Sequence, residues 1–339
     1  MKTKQIIGIV VAGAVFISVG VSGVLTSQLT NQLTGGSKQS AAGFFEELLG
    51  ETTGKLEFPI EPFVGLVRVE GKIRDTGSST AFEKVGYDHQ SILRYIDRMM
   101  DSPNNTGILL YVDSPGGGVY ESDELYLKLK EYKEETGRPI WAYMGSMACS
   151  GGYYISMAAD RIVANRNTWT GSIGVIISNY NYKEFFDKLG VKEINYTSGP
   201  NKAMGSGGIE ATKEQKEIFQ GMVDEAYEQF VEIIAEGRNM SRDTVKPLAD
   251  GRIYTAKQAL SLKLIDEIDS LENTELAIRK EAGSGSVIYE PDFSGSSFFS
   301  SLFSSFKGIR GKSDVQAVTE MLNDGRNGVP MYYAEPGKQ

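Results

Sequence analysis

Gly107-Ile108-Leu109-Leu110-Tyr111-Val112, followed at once by Asp113-Ser114-Pro115-Gly116-Gly117-Gly118, decides the fold. The first six residues form an uninterrupted apolar run, the pattern of a strand buried on both faces of a parallel sheet. The three glycines after it let the backbone turn sharply and approach a ligand closely. The N–H groups exposed in such a turn can hold an anion. A strand that enters a glycine loop and then a helix places that loop at the carboxyl edge of the sheet, where open α/β sheets bind ligands. The loop lacks the Gly-Lys-Ser/Thr of a phosphate loop, which argues against a nucleotide site. Taken alone it reads equally well as a tight turn.

Outward from this stretch, strand and helix patterns alternate. Strands are expected at 64–69, 140–144, 161–164 and 193–197. Helices are expected at 89–100, where Ile92, Leu93, Ile96, Met99 and Met100 recur at helical spacing, and at 122–133, 150–159, 182–189 and 212–236. Alternation of this kind implies crossover units and a parallel sheet, hence an α/β fold.

Residues 6–25 carry no charge over about 20 positions, enough at 1.5 Å per residue to cross a bilayer of roughly 30 Å. Lys2 and Lys4 precede this stretch, and the first charge after it is Lys38. The positive-inside rule then places residues 1–5 in the cytoplasm and the rest of the chain outside, as a single-pass protein of the cell membrane. A cleavable signal peptide is the competing reading, but Val21-Ser22-Gly23 is a poor cleavage site. Residues 26–55 read as a Ser-, Thr-, Gly- and Gln-rich linker, 56–290 as the folded domain, and 291–339 as a tail of little pattern. Within the tail, the Ser/Phe stretch 293–307 is either a flexible segment or one that packs on a partner or a membrane surface.

Of 339 residues, 40% are hydrophobic and 23% charged, with a formal net charge of -9. A chain this acidic is a poor ligand for polyanions, so nucleic acid is set aside. The single cysteine, Cys149, excludes an intramolecular disulfide and a cysteine-rich zinc site. The single histidine, His89, is the only residue on which a His-based triad can rest. It lies in a helical segment with no evident acid or nucleophile beside it and reads as a surface or packing residue. No metal or organic cofactor is indicated.

Three further motifs matter. Met147-Ala148-Cys149-Ser150-Gly151-Gly152-Tyr153-Tyr154 joins a strand to a helix. Ser150 there is either a helix N-cap or a nucleophile, although the G-x-S-x-G elbow is absent. Ser198-Gly199-Pro200-Asn201-Lys202 reads as a turn with a surface lysine, and Thr170-Gly171-Ser172-Ile173-Gly174 as a glycine turn. Peptide hydrolysis needs a nucleophile, a base and an oxyanion stabiliser. With histidine set aside, lysine is the other base able to activate serine. Lowering an ammonium pKa from about 10.4 to near 7 takes roughly 4 kcal/mol, which burial can supply. The N–H groups of Gly117 and Gly151 are then available to hold the oxyanion.

The blocks SPGGGVYES, SMACSGGYYIS, TGSIGV and SGPNK, in this order and spacing, resemble bacterial signal peptide peptidase A, most nearly its short Bacillus-type form. The resemblance implies Ser150 as nucleophile, Lys202 as general base and Ser172 as the serine that orients the lysine. It also implies Gly117 and Gly151 as the oxyanion donors. It further implies a ClpP/crotonase-like fold of stacked β-β-α units and a ring of eight copies with each dyad shared between neighbours. The implied substrates are remnant signal peptides and other apolar peptides. Lys263 stands where the family's late pattern has a glycine before Leu264-Ile265-Asp266. Two other classes remain as alternatives: a non-enzymatic, membrane-anchored oligomeric scaffold, and a crotonase-like acyl-CoA enzyme.

Overall fold

The computed structural model describes residues 58–75, 87–283, 285–291 and 331–333. The expected anchor at 6–25, the linker at 26–55 and the Ser/Phe stretch at 293–307 lie outside them. No helix among the described residues is long and apolar enough to cross a membrane.

The fold is mixed α/β. Its strands are β1 (Phe63–Glu70), β2 (Asn105–Ser114), β3 (Gly116–Gly118), β4 (Ile140–Cys149), β5 (Arg161–Ala164), β6 (Trp169–Gly171), β7 (Ile253–Thr255), β8 (Glu267–Ile268), β9 (Val287–Tyr289) and β10 (Met331–Tyr333). Its helices are α1 (His89–Asp101), α2 (Val119–Thr136), α3 (Gly151–Ser156), α4 (Lys183–Lys188), α5 (Lys213–Gly237), α6 (Arg242–Val245), α7 (Ala256–Ser261) and α8 (Leu271–Ala282). Among the described residues eight strands form one sheet in the order β7-β6-β4-β2-β1-β9, with β5 and β8 continuing from β4. Every pairing in it is parallel except β6 with β7.

The apolar run in β2 is continuous because both faces of that strand are covered. Ile108, Leu110 and Val112 point into the core beneath α1 and α2, with Phe63, Val67, Ile92, Ile96, Leu125 and Leu129. Leu109 points the other way, into a smaller cluster with Val64, Leu66, Trp141 and Ile278, the last supplied by α8. Side chains alternate across a strand, so a strand between two apolar layers carries no polar positions to break its pattern. β4 serves two neighbours on one edge. Its first half pairs with β5, Trp141 opposite Arg161, and its last three residues pair with β6, Cys149 opposite Gly171. The register of β4 against β2 shifts between Val112 and Ser114. This carries the end of β4 out beside β3.

The strand expected at 193–197 does not form. Among the described residues no neighbouring strand offers it a ladder, and Ile194 and Tyr196 are 68% and 96% exposed. The segment belongs to an arm, residues 176–212, whose helix α4 buries none of its residues.

The departure at Lys263 is visible in the backbone. Lys263 N–H donates to Leu260 O (3.1 Å) and Leu264 N–H to Ala259 O (2.8 Å). These are the two bonds of a Schellman cap on α7, and Lys263 holds the left-handed position at φ 62°. An L-residue pays about 1–2 kcal/mol there, and glycine returns part of that in chain entropy. Lys263→Gly is therefore expected to raise the unfolding free energy by roughly 0.5–1 kcal/mol, read as a higher urea midpoint at unchanged slope.

Candidate active site

β4 ends at Cys149 and α3 begins at Gly151, so Ser150 alone makes the turn between them. It adopts φ 53° and ψ −115°, a conformation that costs a non-glycine residue about 1–3 kcal/mol. Its N–H donates to Gly171 O (2.7 Å) and its C=O accepts from Tyr154 N–H (2.8 Å), which fixes it between β6 and α3. Ser150 occupies the N-cap position, yet its hydroxyl caps nothing. It is 1% exposed, and its Oγ has no hydrogen-bond partner among the described residues. The capping explanation for this serine is thereby removed. The geometry is a strand-to-helix elbow, formed without the G-x-S-x-G pattern.

Cys149, one residue earlier, is no rival. Burial pushes its thiol up to about 12, so it stays protonated and unreactive near neutral pH.

β3 lies against this elbow. Ile73 brackets it, its N–H donating to Gly116 O (3.0 Å) and its C=O accepting from Gly118 N–H (2.9 Å). A Cβ at Gly117 would fall 1.7 Å from Ile73 O, so no side chain fits there. A Cβ at Gly151 would fall 3.1 Å from Gly117 N and 2.5 Å from Ser122 Oγ. Gly117 and Gly151, paired in the sequence reading only by an expected role, are thus neighbours.

The third element of the site comes from the far end of the chain. β10 pairs antiparallel with β3, Tyr332 opposite Gly117. On its other side Met331 exchanges backbone bonds with Ile176, at 3.0 and 3.1 Å. A Cβ placed on Gly116 would lie 2.1 Å from Tyr332 O and 2.7 Å from Gly151 N. The carbonyl of Tyr332 therefore sits over the junction of the two glycine segments. Its ring is fully buried, 4.8 Å from that of Tyr154 and 4.7 Å from that of Phe230, and its hydroxyl donates to Ala226 O (2.9 Å). Tyr154 OH donates in turn to Asp123 Oδ1 (2.6 Å), and Gln229 donates to both. This segment was missed in the sequence, where three residues in a tail of little pattern carry no periodicity. The compact aromatic run Met331-Tyr332-Tyr333 after Pro330 was the available signal.

The remaining predicted residues fall in two places. Ser172 follows β6 directly and is nearly buried, at φ 48° with its N–H on Arg252 O (2.7 Å). The pairing of Cys149 with Gly171 makes it a neighbour of Ser150 across the strands. It lines a cavity of about 430 Å3 with Val175, Ile176, Tyr227 and Asp250. Lys202 is not brought to this cluster within the chain. It lies exposed on the arm and is not a hydrogen-bond partner of Ser150. His89 is buried as a packing residue, its Nδ1 2.5 Å from Tyr87 OH and its Nε2 2.7 Å from Glu124 Oε2. An acid does accompany it, unseen in the sequence, but both ring nitrogens are occupied away from any serine. A His-based triad is not assembled.

A buried, unpartnered hydroxyl on a strained elbow, two glycine backbones meeting beside it, and an extended segment laid across them form a site suited to acyl transfer. The sequence pattern of peptidase family S49 matches residues 132–284. An Enterococcus faecium protein named "Putative signal peptide peptidase SppA" is 38% identical over 272 residues, which cover 78% of this chain and 79% of that protein. "Protease 4" of Haemophilus influenzae is 33% identical over 227 residues, 67% of this chain and 36% of that protein. "Serine protease SPPA, chloroplastic" of Arabidopsis thaliana is 31% identical over 235 residues, 69% of this chain and 33% of that protein. The chain spans about a third of the length of the latter two. With the identity and coverage of the Enterococcus relative, the chain belongs to the signal peptide peptidase A family, peptidase family S49.

Proposed function

We propose that the chain is a serine endopeptidase that cuts apolar peptides, remnant signal peptides among them, with Ser150 as nucleophile and Lys202 as general base. The observation that carries this reading is the Ser150 hydroxyl, buried and unpartnered beside a glycine strand on which β10 lies antiparallel. A peptide substrate held by strand addition would use the same backbone groups. The aromatic surroundings of Tyr332 favour an apolar side chain next to the reacting carbonyl.

In this mechanism Ser150 Oγ attacks the carbonyl carbon while its proton passes to the neutral Lys202 Nζ. The oxygen that becomes negative is held by the N–H groups of Gly117 and Gly151. The C–N bond then breaks, and the amine leaves with the proton from Nζ. Water attacks the acyl-serine as Lys202 Nζ takes its proton, the acyl–Oγ bond breaks to release the carboxylic acid product, and the proton passes from Nζ to Oγ to regenerate Ser150.

The exposed position of Lys202 supports a base supplied by a second copy of the chain. The arm that carries it displays Ile176, Tyr180, Phe185, Leu189, Val191, Ile194 and Tyr196 at 41–96% exposure, an apolar surface of the kind that marks a protein interface. The cavity beside Ser172 is a fitting receptacle for that lysine, with Ser172 orienting it. The ring of eight copies implied by the resemblance would bury the arm and complete each site. Residues 6–25 would anchor the chain in the cell membrane, with the catalytic domain on the outer side.

Cleavage of a quenched apolar peptide tests the assignment. Ser150→Ala and Lys202→Ala are each expected to lose at least about a thousandfold in kcat, and His89→Gln to stay active. Mixing the two inactive variants as subunits restores part of the activity if the dyad is shared, and none if each chain carries its own. Deleting residues 331–339 empties the groove and is expected to raise kcat/KM several-fold for the same peptide.

A further inference from the structure

Ser122 lies in the first turns of α2, five residues beyond Gly117. Helical side chains lean toward the N-terminus of their helix, which turns this hydroxyl back over the glycine strand. Ser122 is fully buried, and its Oγ has no hydrogen-bond partner among the described residues. Among them one other buried side-chain polar atom is in that state, Ser150 Oγ. The two orphan hydroxyls flank one junction, since a Cβ on Gly151 would lie 2.5 Å from Ser122 Oγ and 3.1 Å from Gly117 N.

An unsatisfied buried hydroxyl costs about 1–3 kcal/mol. A helical serine or threonine ordinarily escapes this by donating to the carbonyl four residues back. Ser156 does so to Gly152 O (2.8 Å), Thr136 to Tyr132 O (2.6 Å) and Thr274 to Ser270 O (2.8 Å). Ser122 does not bond Gly118 O. Nor does it bond the Tyr332 carbonyl, although that group sits at the same junction. The donor stays idle with a planar, ground-state carbonyl in the groove.

We propose that Ser122 is a further catalytic residue, whose Oγ–H donates to the reacting acyl oxygen once that oxygen moves out of plane and becomes negative, beside the N–H groups of Gly117 and Gly151. This rests on the reading of Ser150 as nucleophile. A bond made only in the transition state raises kcat and leaves KM alone. The methylene of Ser122 then serves packing, and its oxygen serves the reaction.

The test is steady-state cleavage of the quenched apolar peptide by the full chain, with thermal unfolding measured on the same samples. The expected result for Ser122→Ala is a kcat lower by about tenfold or more, an unchanged KM, and a melting temperature equal to or above the parent's because an orphan polar group is gone. Ser122→Cys, close in size but a weak donor, is expected to keep the fold and also lose kcat. A kcat within twofold of the parent in Ser122→Ala, with Ser150→Ala inactive, overturns the role of Ser122 and leaves that of Ser150 standing. A fall in both melting temperature and kcat for Ser122→Ala, with full kcat in Ser122→Cys, also overturns it, because the residue then acts by packing. Activity in Ser150→Ala removes both readings at once.

Discussion

Two backbone segments, Gly116–Gly118 and Ser150–Gly151, meet so closely that a Cβ on Gly116 would fall 2.7 Å from Gly151 N and one on Gly151 would fall 3.1 Å from Gly117 N. This close approach places N–H groups from two different strand ends at one point. It needs the glycines, but glycine alone does not create it. β2 and β4 are parallel neighbours, so their carboxyl ends emerge side by side. The register shift near Ser114 and Ala148 lets the end of β4 swing across to β6 while β2 turns into β3. Each strand end then delivers one half of the site.

The site is held at a local cost. Ser150 and Ser172 both adopt positive φ, and two buried hydroxyls lack partners. Strain of about 1–3 kcal/mol per residue is sustained only where the surroundings over-determine the backbone. Here Ser150 N–H is bonded to Gly171 O, Ser172 N–H to Arg252 O, and Tyr153 beneath them is fully buried with its hydroxyl on Leu264 O. The small cluster covered by α8 and the larger core beneath α1 and α2 stabilise the sheet, while the Ser122 and Ser150 hydroxyls stay without partners among the described residues.

β10 and the arm show what else the scaffold arranges. β10 fills a slot between β3 and Ile176, with a backbone partner on each side, and it is held by backbone bonds together with the aromatic packing of Tyr332. The arm carries its apolar residues outward, with no cover from the rest of the described chain. The edge of β3 is thus taken up by the chain's own β10, while the apolar residues of the arm face outward.

The alternation of strands and helices, the parallel sheet and the carboxyl-edge position of the glycine loop were legible in the sequence, because each depends on local periodicity and on a strand needing apolar cover on both faces. Ser150, Gly117, Gly151, Ser172 and Lys202 were singled out by motif. The sequence alone left Ser150 as either a cap or a nucleophile, and only the tertiary structure withdrew the cap, by turning φ positive and leaving the hydroxyl unbonded. The strand at 193–197 was misread because strand formation needs a ladder, and periodicity says nothing about whether a partner strand exists. β10, the aromatic pocket around Tyr332, the Glu124 beside His89 and the idle hydroxyl of Ser122 all join residues from separate elements. Contacts of that kind leave no local pattern, so the sequence determined the elements and their chemistry, and the packing of those elements alone decided which groups meet.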